Sequence, residues 1–411
     1  MIRYDDLIAD MPAGLDLNDP EQQHSVELVA NKLLERAESL AELNELELTW
    51  CKDREATPLS AHLAIKLARS RRMLQELEGP IHASVVFAVY KEHTRILKAS
   101  EHPHGEDFLR RKVQQLDWLV AGTQATWDLI VVDDGCPENS GRLAETIIES
   151  DGLGDRVQVL FLQDAIDNKL PIVMPLTTPD DSRKGGSVVL GMWKASRIDR
   201  DGHVIIFTDA DLSTHLGETG LLLDPILRGG ADAAIGSRRE PTSVIVKAGT
   251  RNTRGKLFIY LWKRLFPELG DLVDTQCGFK AFSTATVSAI TRDMIEKKFA
   301  FDIELLLKTE LRRAGAITKV GVAWIDSEAA STTTDIQPYL PMLQTMAKMV
   351  AAYVPSRPDG DAFANFLGEL DDEGWNRLVD NVPEEIASRE PHEFGSWSGV
   401  TVEELQVIVG G

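Results

Sequence analysis

The sequence predicts an α/β protein with a mostly parallel sheet, helices on both sheet faces and further helices at both ends. In the middle of the chain, apolar β-branched segments alternate with segments of helical period. This alternation is typical of doubly buried parallel strands joined by crossover helices. Before that region, apolar residues recur at three- and four-residue spacing, which predicts amphipathic helices, and helical segments with acidic connections follow it.

The composition is that of a soluble globular protein. The chain has 411 residues, of which 43% are hydrophobic and 27% charged, enough for a large domain with additions. Acidic residues outnumber basic residues by 65 to 44, which gives a net charge of −21. Binding to nucleic acid or to an anionic membrane needs clustered Lys and Arg, so the charge balance argues against both partners.

The sequence shows no pattern typical of a membrane span, a secretory signal, a disulfide framework or a zinc site. No apolar stretch approaches the roughly 20 residues of a membrane-spanning helix. The N-terminal segment MIRYDDLIADMPAG is acidic, whereas a secretory signal is basic and then apolar. The three cysteines, Cys51, Cys136 and Cys277, lack metal-ligand spacing. We therefore expect a cytoplasmic protein with reduced thiols, no zinc site and no integral membrane segment.

The pattern divides the chain into three parts. Residues 1–80 have helical spacing and end at the breaker pair Gly79-Pro80. Residues 81–335 carry the alternating strands and helices. Residues 336–411 form an acidic, mainly helical appendage. Its last part, 356–411, holds 13 acidic residues and 3 Arg without a Lys, so we expect a small helical addition or a partly disordered tail.

The ends of the predicted strands carry most of the polar motifs. The strands are HASVVFAVY (82–90), WDLIVVDDG (127–135), RVQVLFL (156–162), HVIIFTDAD (203–211) and ADAAIGS (231–237). Residues 251–265 then predict an amphipathic basic helix, and DTQCGFKAF predicts a turn before another helix, FAFDIELLLKTELRRAG. Ligands of such sheets bind outside the carboxyl ends of the strands. We expect the binding site at that edge.

The segment Asp209-Ala210-Asp211 directly follows the strand HVIIF. Carboxylates at positions i and i+2 of an extended chain point to the same side. Mg²⁺ and Mn²⁺ take oxygen ligands together with water and substrate phosphates, so the pair can hold a metal that neutralises a leaving nucleotide diphosphate. A turn or a helix cap is the alternative interpretation. His215, four residues after Asp211, is a further potential ligand.

Two other segments can contact a nucleotide. Asp133-Asp134-Gly135 ends a buried strand, and one of its carboxylates can accept hydrogen bonds from a uracil or guanine edge or from a ribose hydroxyl. A loop with capping residues is the alternative. Arg183-Lys184-Gly185-Gly186 opens a helix, where the glycines permit close backbone approach and Lys184 provides a charge for a phosphate.

The segment DTQCGFK (274–280) combines a carboxylate, an amide and a cation around a glycine. Asp274 can act as a general base that draws the proton from an acceptor hydroxyl. An ion-paired structural turn, with Lys280 as the partner, is the alternative. After another strand end, Arg238 of GSRR can bring a guanidinium to a phosphate, although adjacent surface arginines are usually solvated.

Seven blocks of the sequence, taken together, resemble a known family. The blocks are VFAVYKE (86–92), VVDDGCPENSG (131–141), RKGGSVVLGMWKA (183–195), DADLSTH (209–215), GSRR (236–239), DTQCGFKAF (274–282) and FAFDIELL (299–306). Over about residues 81–335, their order and spacing resemble glycosyltransferase family 2, which has the GT-A fold. The resemblance is strongest to the polyprenyl or dolichyl phosphate β-glucosyltransferase and mannosyltransferase branch.

This resemblance implies inverting sugar transfer from a nucleotide sugar. It implies metal ligands at Asp209 and Asp211, a base-binding carboxylate at Asp133 or Asp134, and Lys184 near the nucleotide. We predict catalytic roles for Asp274 and Lys280, and acceptor-side positions for Gln276, Arg251 and Arg254. The predicted nucleotide-sugar-binding residues are Val89, Glu92, Asp133, Asp134, Lys184, Gly185, Asp209, Ala210 and Arg238.

The chain departs from the family pattern at two places. Tyr90-Lys91-Glu92 lacks the Pro and Asn that commonly end the first strand of the family, although Glu92 is retained. Ser213 stands where members that hold a metal often have Gln. The resemblance therefore implies a thinner metal shell, or one that His215 completes.

The sequence thus predicts a metal-dependent inverting glycosyltransferase that uses Mg²⁺ or Mn²⁺. It would move a hexose, glucose first, from a UDP- or GDP-sugar to a soluble acceptor. One alternative is transfer to a polyprenyl phosphate or a phosphorylated small acid, which the basic residues Arg251, Arg254 and Lys256 would favour. The other is a catalytically silent nucleotide-sugar-binding protein. The terminal additions are predicted to form an acceptor site or a homodimer interface.

Overall fold

The computed structural model describes residues 2–9, 11, 14–246, 253–325, 338–395, 397 and 399–410. Helices precede the sheet: α1 (Ile2–Ile8), α2 (Pro20–Arg36), α3 (Leu40–Lys52) and α4 (Leu59–Glu76). Asp19 caps α2 by accepting hydrogen bonds from the N–H groups of the first turn, and Ser39 caps α3 in the same way. The helical spacing of the N-terminal part therefore corresponds to real helices.

The middle of the chain alternates strands and helices, as the apolar pattern predicts. The elements are β1 (Ile81–Val89), α5 (Phe108–Val120), β2 (Ala125–Asp133), α6 (Ser140–Ser150), β3 (Val157–Phe161), α7 (Leu162–Asp167), α8 (Gly185–Ala195), β4 (His203–Thr208), α9 (Thr219–Leu227), β5 (Ala233–Ser237), β6 (Val244–Val246), α10 (Thr253–Leu265), β7 (Phe279–Ser283), α11 (Thr284–Ile290), α12 (Phe301–Arg312), β8 (Ile317–Gly321) and β9 (Ala323–Ile325).

The main sheet has the strand order β3-β2-β1-β4-β7-β5-β8 within the described residues. β7 runs antiparallel to β4 and β5, and the other pairs are parallel. β6 and β9 form a separate parallel pair. The sequence pattern missed β6 to β9, because these strands have only three to five residues and two of them adjoin polar turns. The turn predicted over DTQCGFKAF is wrong for its second half, which forms β7.

Successive residues of the central strands enter two different hydrophobic cores. Val86 of β1 packs with α8, α10, α12 and the C-terminal helices. Its neighbours Val85 and Phe87 pack with α2, α4, α5 and α9. This alternation is the two-residue period of a strand. The predicted α/β class, with helices on both faces and helical additions at both ends, is confirmed.

The C-terminal part is helical where the structure describes it. Its helices are α13 (Tyr339–Tyr353), α14 (Pro358–Glu369), α15 (Asp372–Asp380), α16 (Glu384–Ala387) and α17 (Val402–Gly410). They pack on α10, whose Lys256 ammonium donates to the carbonyl of Ala387 at 2.8 Å. Arg264 of the same helix donates to the carbonyl of Trp397 at 2.9 Å. The basic helix of the sequence pattern thus holds the acidic addition.

Among the helices that the structure describes, none is both long enough and apolar enough to cross a membrane.

Candidate functional site

The site lies at the carboxyl ends of β1, β2 and β4, as expected for an open α/β sheet. After β4, the side chain of Asp209 is 28% exposed. Asp211 is held by Ser213, whose N–H and hydroxyl donate to the same carboxylate oxygen at 3.1 and 2.5 Å. Ser213, which stands where the family often has Gln, therefore orients the Asp211 carboxylate from within the same loop. Ala210 between them is buried.

Lys184 reaches Asp209 from the start of α8. Its ammonium contacts an Asp209 carboxylate oxygen, and both Lys184 and Arg183 have positive φ angles, 100° and 52°. Burial opposes ionisation of Lys184, but the carboxylates of Asp209 and Asp302 outweigh it and raise the pKa of this lysine. Burial also acts to raise the pKa of Asp209, but Lys184 outweighs it and the pKa lies below its usual range. Both groups are therefore held in their charged forms.

The polar turn that precedes β7 packs against the carboxylate of Asp209. At Gly278 an added Cβ would lie 2.2 Å from a carboxylate oxygen of Asp209, so only a glycine fits there. Lys280 is fully buried; its ammonium donates to the carbonyl of Cys277 at 2.5 Å. It also lies 3.4 Å from a carboxylate oxygen of Asp302. The structure thus brings Lys184 into contact with the Asp209 carboxylate and Lys280 near enough to act on its charge.

Asp302, in the first turn of α12, is a site residue to which sequence reasoning gave no role. Burial raises its pKa, although the ammonium groups of Lys280 and Lys184 act in the opposite sense. Its oxygen Oδ1 is buried without a hydrogen-bond partner among the described residues. The available signal was an acidic residue inside the apolar block FAFDIELL, since a charge there needs a partner or a function.

Asp274 has a different environment. The guanidinium of Arg238 donates two hydrogen bonds, each 2.8 Å, to the Asp274 carboxylate, and the backbone N–H of Arg238 donates a third at 2.7 Å. Burial acts to raise the pKa of Asp274, but Arg238 outweighs it and the pKa lies below the usual range. A carboxylate so held is a weak base. The ion-paired alternative for Asp274 describes this geometry, although the partner is Arg238 and not Lys280.

The carboxylates of Asp133 and Asp134 accept hydrogen bonds from other groups of the protein. Asp133 accepts hydrogen bonds from the N–H groups of Cys136 at 2.8 Å and Gly141 at 2.7 Å. Asp134 accepts from the N–H of Lys184 at 2.8 Å and from the hydroxyl of Ser187 at 2.6 Å. The two residues therefore tie β2 to the starts of α6 and α8, as in the loop-and-cap alternative.

The glycines at the start of α8 approach another chain segment. An added Cβ on Gly185 would lie 2.4 Å from the carbonyl oxygen of Lys298. The N–H of Gly186 donates to the carbonyl of Lys297 at 2.7 Å. The close backbone approach predicted for these glycines is present, but it is an approach to residues 297–298.

Glu92 lies beyond the end of β1, which finishes at the buried Val89. Arg95 donates to the Glu92 carboxylate at 2.9 Å and, with two further hydrogen bonds, to Glu106. Burial raises the pKa of Glu92 to about 7, against the opposing effect of Arg95. A carboxylate that gains and loses its proton near neutral pH therefore adjoins the loop of Asp211.

His215 does not face the two aspartates with a free nitrogen. Its Nδ1 accepts from the N–H of Gly217 at 2.9 Å, and its Nε2 lies 3.2 Å from the carboxylate of Glu27. Both ring nitrogens are engaged, so His215 has no lone pair to offer a metal in this arrangement. Across the described residues, no three His, Cys, Asp or Glu side chains are grouped as a metal site.

The predicted acceptor-side residues are only partly together. Gln276 has a buried amide nitrogen without a hydrogen-bond partner among the described residues. The guanidinium of Arg254 lies 5.4 Å from the ring centre of Tyr339 and 5.7 Å from that of Trp375, so it faces the C-terminal helices. Arg251 lies outside the described residues.

The donor set fits a divalent cation that is shared with a substrate. Asp209 and Asp211 offer hard carboxylate oxygens two residues apart, and Asp209 is partly exposed. Mg²⁺ is commonly bound by one or two carboxylates plus substrate phosphates and water. A pair of aspartates with no third protein ligand grouped beside it in the described part of the chain is consistent with that mode of binding.

Comparisons with known proteins find glycosyltransferases that are similar to this chain. No family model matches it. Glycosyltransferase AglD of Haloferax volcanii is 26% identical over 62% of this chain, but the chain spans only 35% of that protein. The Drosophila melanogaster dolichyl-phosphate β-glucosyltransferase is 28% identical over 62% of this chain and 70% of that protein. The Micrococcus luteus undecaprenyl-phosphate mannosyltransferase is 27% identical over 49% and 73%.

Solved structures of two phosphoglycerate glycosyltransferases are also similar. Glucosyl-3-phosphoglycerate synthase from Mycobacterium tuberculosis, solved with Mn²⁺, UDP and glucosyl-3-phosphoglycerate, is 17% identical; the match covers 71% of this chain and 85% of that one, with a TM-score of 0.44. Mannosyl-3-phosphoglycerate synthase from Rubrobacter xylanophilus is 16% identical over 77% and 83%, also with a TM-score of 0.44. The resemblance to glycosyltransferases of the polyprenyl- and dolichyl-phosphate type, predicted from the motifs, is confirmed by these relatives.

Proposed function

We propose that this protein transfers a hexose, with glucose as the first choice, from a UDP- or GDP-sugar to a phosphorylated acceptor. The observation that carries the proposal is the arrangement at the end of β4. There, the Lys184 ammonium contacts Asp209, Asp211 follows two residues later, and the backbone at Gly278 packs directly against the Asp209 carboxylate. A site that combines oxygen ligands with cationic side chains suits a diphosphate leaving group.

Asp209 and Asp211 would hold Mg²⁺ or Mn²⁺. A divalent metal supplies Lewis-acid stabilisation of the charge on a departing phosphate oxygen. Lys184 and Lys280 contribute positive charge near the metal site, because each ammonium group pairs with a carboxylate there, Asp209 for Lys184 and Asp302 for Lys280. Ser213 keeps the Asp211 carboxylate oriented.

The nucleoside would lie over the ends of β1 and β2. In this proposal, the nucleoside pocket is lined by Val89, Glu92, Asp133 and Asp134, and Asp134 is hydrogen-bonded to the backbone of Lys184. Because the carboxylate oxygens of both aspartates already accept internal hydrogen bonds, we assign them the shaping of the nucleoside pocket. Direct recognition of the base falls to main-chain groups and to Glu92.

The environment of Asp274 favours an acceptor that is already ionised. A phosphate oxygen attacks without losing a proton, so it needs no strong base, and Asp274 is paired with Arg238 and has a lowered pKa. The names of the curated relatives also include polyprenyl phosphates as acceptors. A polyprenyl phosphate and a phosphorylated small acid share this chemistry.

A second candidate is transfer to a soluble hydroxyl acceptor, with Asp302 as the general base. Asp302 favours this candidate because its pKa is raised and one oxygen has no partner within the described residues. A base of raised pKa is better matched to removing a proton near neutral pH. In that case the rate would fall as the pH falls through the raised pKa of Asp302, and Asp302→Asn would abolish transfer.

The donor half is tested by thermal-shift measurements with UDP, GDP, UDP-glucose and GDP-mannose, each with Mn²⁺, Mg²⁺ or EDTA. A ligand that binds only the native state raises the melting temperature. We expect one nucleotide class to stabilise the protein, and to do so only with metal. No shift with any nucleotide would contradict the proposed donor.

The acceptor half is tested with radiolabelled donor and three acceptors. These are undecaprenyl phosphate in phosphatidylcholine vesicles, a panel of phosphorylated small acids, and the same acids without phosphate. Labelled product from either phosphorylated acceptor would support the proposal and would distinguish the two sources. Transfer only to the unphosphorylated compounds would favour the Asp302 candidate, and tight nucleotide binding without any transfer would favour a silent binding protein.

A further inference from the structure

The loop that follows Asp211 is bonded to the N-terminal helices. His215, fully buried, accepts the N–H of Gly217 at its Nδ1, at 2.9 Å. This bond leaves the ring proton on Nε2, which then donates to Glu27 of α2 at 3.2 Å. The histidine that the sequence offered as a metal ligand therefore connects the loop to a helix outside the predicted catalytic part.

A second buried side chain joins the same two parts. Gln115 of α5 is fully buried, and its amide oxygen accepts the N–H of Leu216 at 2.9 Å. Its amide nitrogen donates to the side-chain oxygen of Gln23 in α2 at 3.0 Å. Gln23 in turn donates to Glu27 at 3.0 Å. Gln23, Glu27, His215 and Gln115 thus form a closed ring of hydrogen bonds with the loop amides, which we call the buried circuit.

The start of the loop is fixed from α5 as well. The ammonium of Lys112 is fully buried and donates to the main-chain carbonyl of Asp211 at 2.7 Å. The preceding residue of the same helix is Arg111, whose guanidinium donates to the side-chain oxygen of Gln23 at 2.7 Å. The backbone of Asp211 and the buried circuit are therefore held by the same helix and by the N-terminal addition.

We infer that the N-terminal addition is a positioning element for the loop that carries Asp211, acting through Glu27 and Gln23. Loss of a residue that hydrogen-bonds to a metal-ligating side chain and orients it typically lowers metal affinity roughly 10- to 100-fold. The residues of a functional site must also stay within about 0.5 Å of the productive geometry. The inference rests on the proposed function for the role of Asp211. It assigns the addition to the donor site, where the sequence had suggested an acceptor site or a dimer interface.

The experiment compares the full chain with two variants of Glu27. Glu27→Leu removes the acceptor for His215 and for Gln23. Glu27→Gln keeps a side-chain oxygen that can accept both hydrogen bonds, so it serves as the rescue variant. Hydrogen exchange of the peptide that spans residues 211–218 reports the loop directly, and Mn²⁺ titration in the presence of UDP reports the site.

We expect Glu27→Leu to exchange the loop amides at least about tenfold faster and to bind Mn²⁺ about tenfold more weakly. Glu27→Gln should stay within about twofold of the wild type in both measurements, because the charge is not what holds the loop. If Glu27→Leu does not fold, Gln23→Met breaks the same circuit from α2 and should give the same two changes.

A matched control separates positioning from a general loss of stability. Arg71 of α4 also joins the addition to α5, with hydrogen bonds to Asn31 at 3.0 Å and to the carbonyl of Ala121 at 2.6 Å. Arg71→Met should lower the melting temperature without changing loop exchange or Mn²⁺ affinity. Equal loop exchange in Glu27→Leu and wild type would overturn the inference. Failure of the wild type itself to bind UDP with Mn²⁺ would instead contradict the proposed function.

Discussion

The ends of β2 and β4 carry similar pairs of aspartates in contrasting environments. At the end of β2, Asp133 and Asp134 are 5% and 6% exposed, and each carboxylate accepts two hydrogen bonds from the protein. After β4, Asp209 is partly exposed and its contact is the ammonium of Lys184. The carboxylate of Asp211 accepts its hydrogen bonds from Ser213, two residues along the chain.

The partners of a carboxylate at a strand end decide whether it only stabilises the fold or can also bind a ligand. Backbone N–H groups that point at a buried carboxylate satisfy it permanently, because they cannot move away without breaking the loop. A lysine side chain can move from a carboxylate to a phosphate by changing rotamers. Within the β4 pair, Asp209 can therefore exchange partners when a ligand binds, whereas the pair at β2 cannot.

The largest contrast is expected between Asp211→Asn and Asp133→Asn. Asp211→Asn keeps an oxygen for Ser213 but removes the charge. Turnover should fall on the order of 100- to 1,000-fold, as for the loss of one electrostatic contact to a transition state. The melting temperature should stay close to that of the wild type. Steady-state kinetics with the identified donor, together with thermal unfolding, measure both quantities.

Asp133→Asn is the matched variant and should behave in the opposite way. The new amide group would face the N–H of Cys136 or Gly141, so one buried donor loses its acceptor at a cost of about 1–3 kcal/mol. Urea unfolding should report that loss, while turnover of the folded fraction stays within a few-fold of the wild type. Wild-type turnover in Asp211→Asn would remove the distinction between the two strand ends.

An intermediate effect is expected for Lys184→Met, which tests whether the β4 pair exchanges partners. Without the ammonium, Asp209 has no cation in contact, so Mn²⁺ should bind about tenfold more tightly when no nucleotide is present. UDP should bind more weakly, since a charge near the phosphates is lost. Calorimetric titration of Mn²⁺ with and without UDP measures both changes.

Lys194→Met is the control, because it makes the same Lys-to-Met change at the other end of α8. Lys194 stands in the last turn of that helix, whereas Lys184 precedes its first turn. It should leave both affinities at the wild-type values. Unchanged or weaker Mn²⁺ binding by Lys184→Met, without nucleotide, would mean that the ammonium does not compete with the metal for Asp209.

Much of the fold and part of the site could be predicted from the sequence. The alternation of apolar strands and helices gave the sheet, and the strand-end rule placed Asp209 and Asp211 correctly at its carboxyl edge. The role of Asp274 could not be predicted, because its partner Arg238 is distant in sequence and the pairing depends on how β5 and β7 meet. Asp302 was missed for the same reason: its neighbours Lys184 and Lys280 come from two other segments.

The buried circuit was also beyond sequence reasoning. A histidine close to two aspartates resembles a metal ligand in sequence, and only the fold shows that α2 places a carboxylate against its other side. The N-terminal helices carry no motif of their own. Their contribution depends on single polar residues, Gln23 and Glu27, on a helix face that is otherwise apolar.

The smallest expected effect concerns Glu218, which lies seven residues beyond Asp211 and gives a third environment for a carboxylate. It is fully buried like the β2 pair, but it accepts only one hydrogen bond, from the N–H of Ala323 at 2.9 Å. Its other oxygen has no partner in the part of the chain that the structure describes. Burial raises the pKa of Glu218 to about 8, although Lys66 acts in the opposite sense.

The sign of the pH dependence follows from that raised pKa. Between the ordinary glutamate range and about pH 8, the folded state holds the proton while the unfolded state has lost it. Glu218 therefore makes the free energy of unfolding fall as the pH rises through this window. Glu218→Gln keeps an acceptor for Ala323 without the titration, so its stability relative to wild type should increase by on the order of 1 kcal/mol or more between pH 5.5 and 8.5. Urea unfolding at several pH values measures this difference, and a difference independent of pH would mean that Glu218 is ionised in the folded protein, as Asp211 must be to hold a cation.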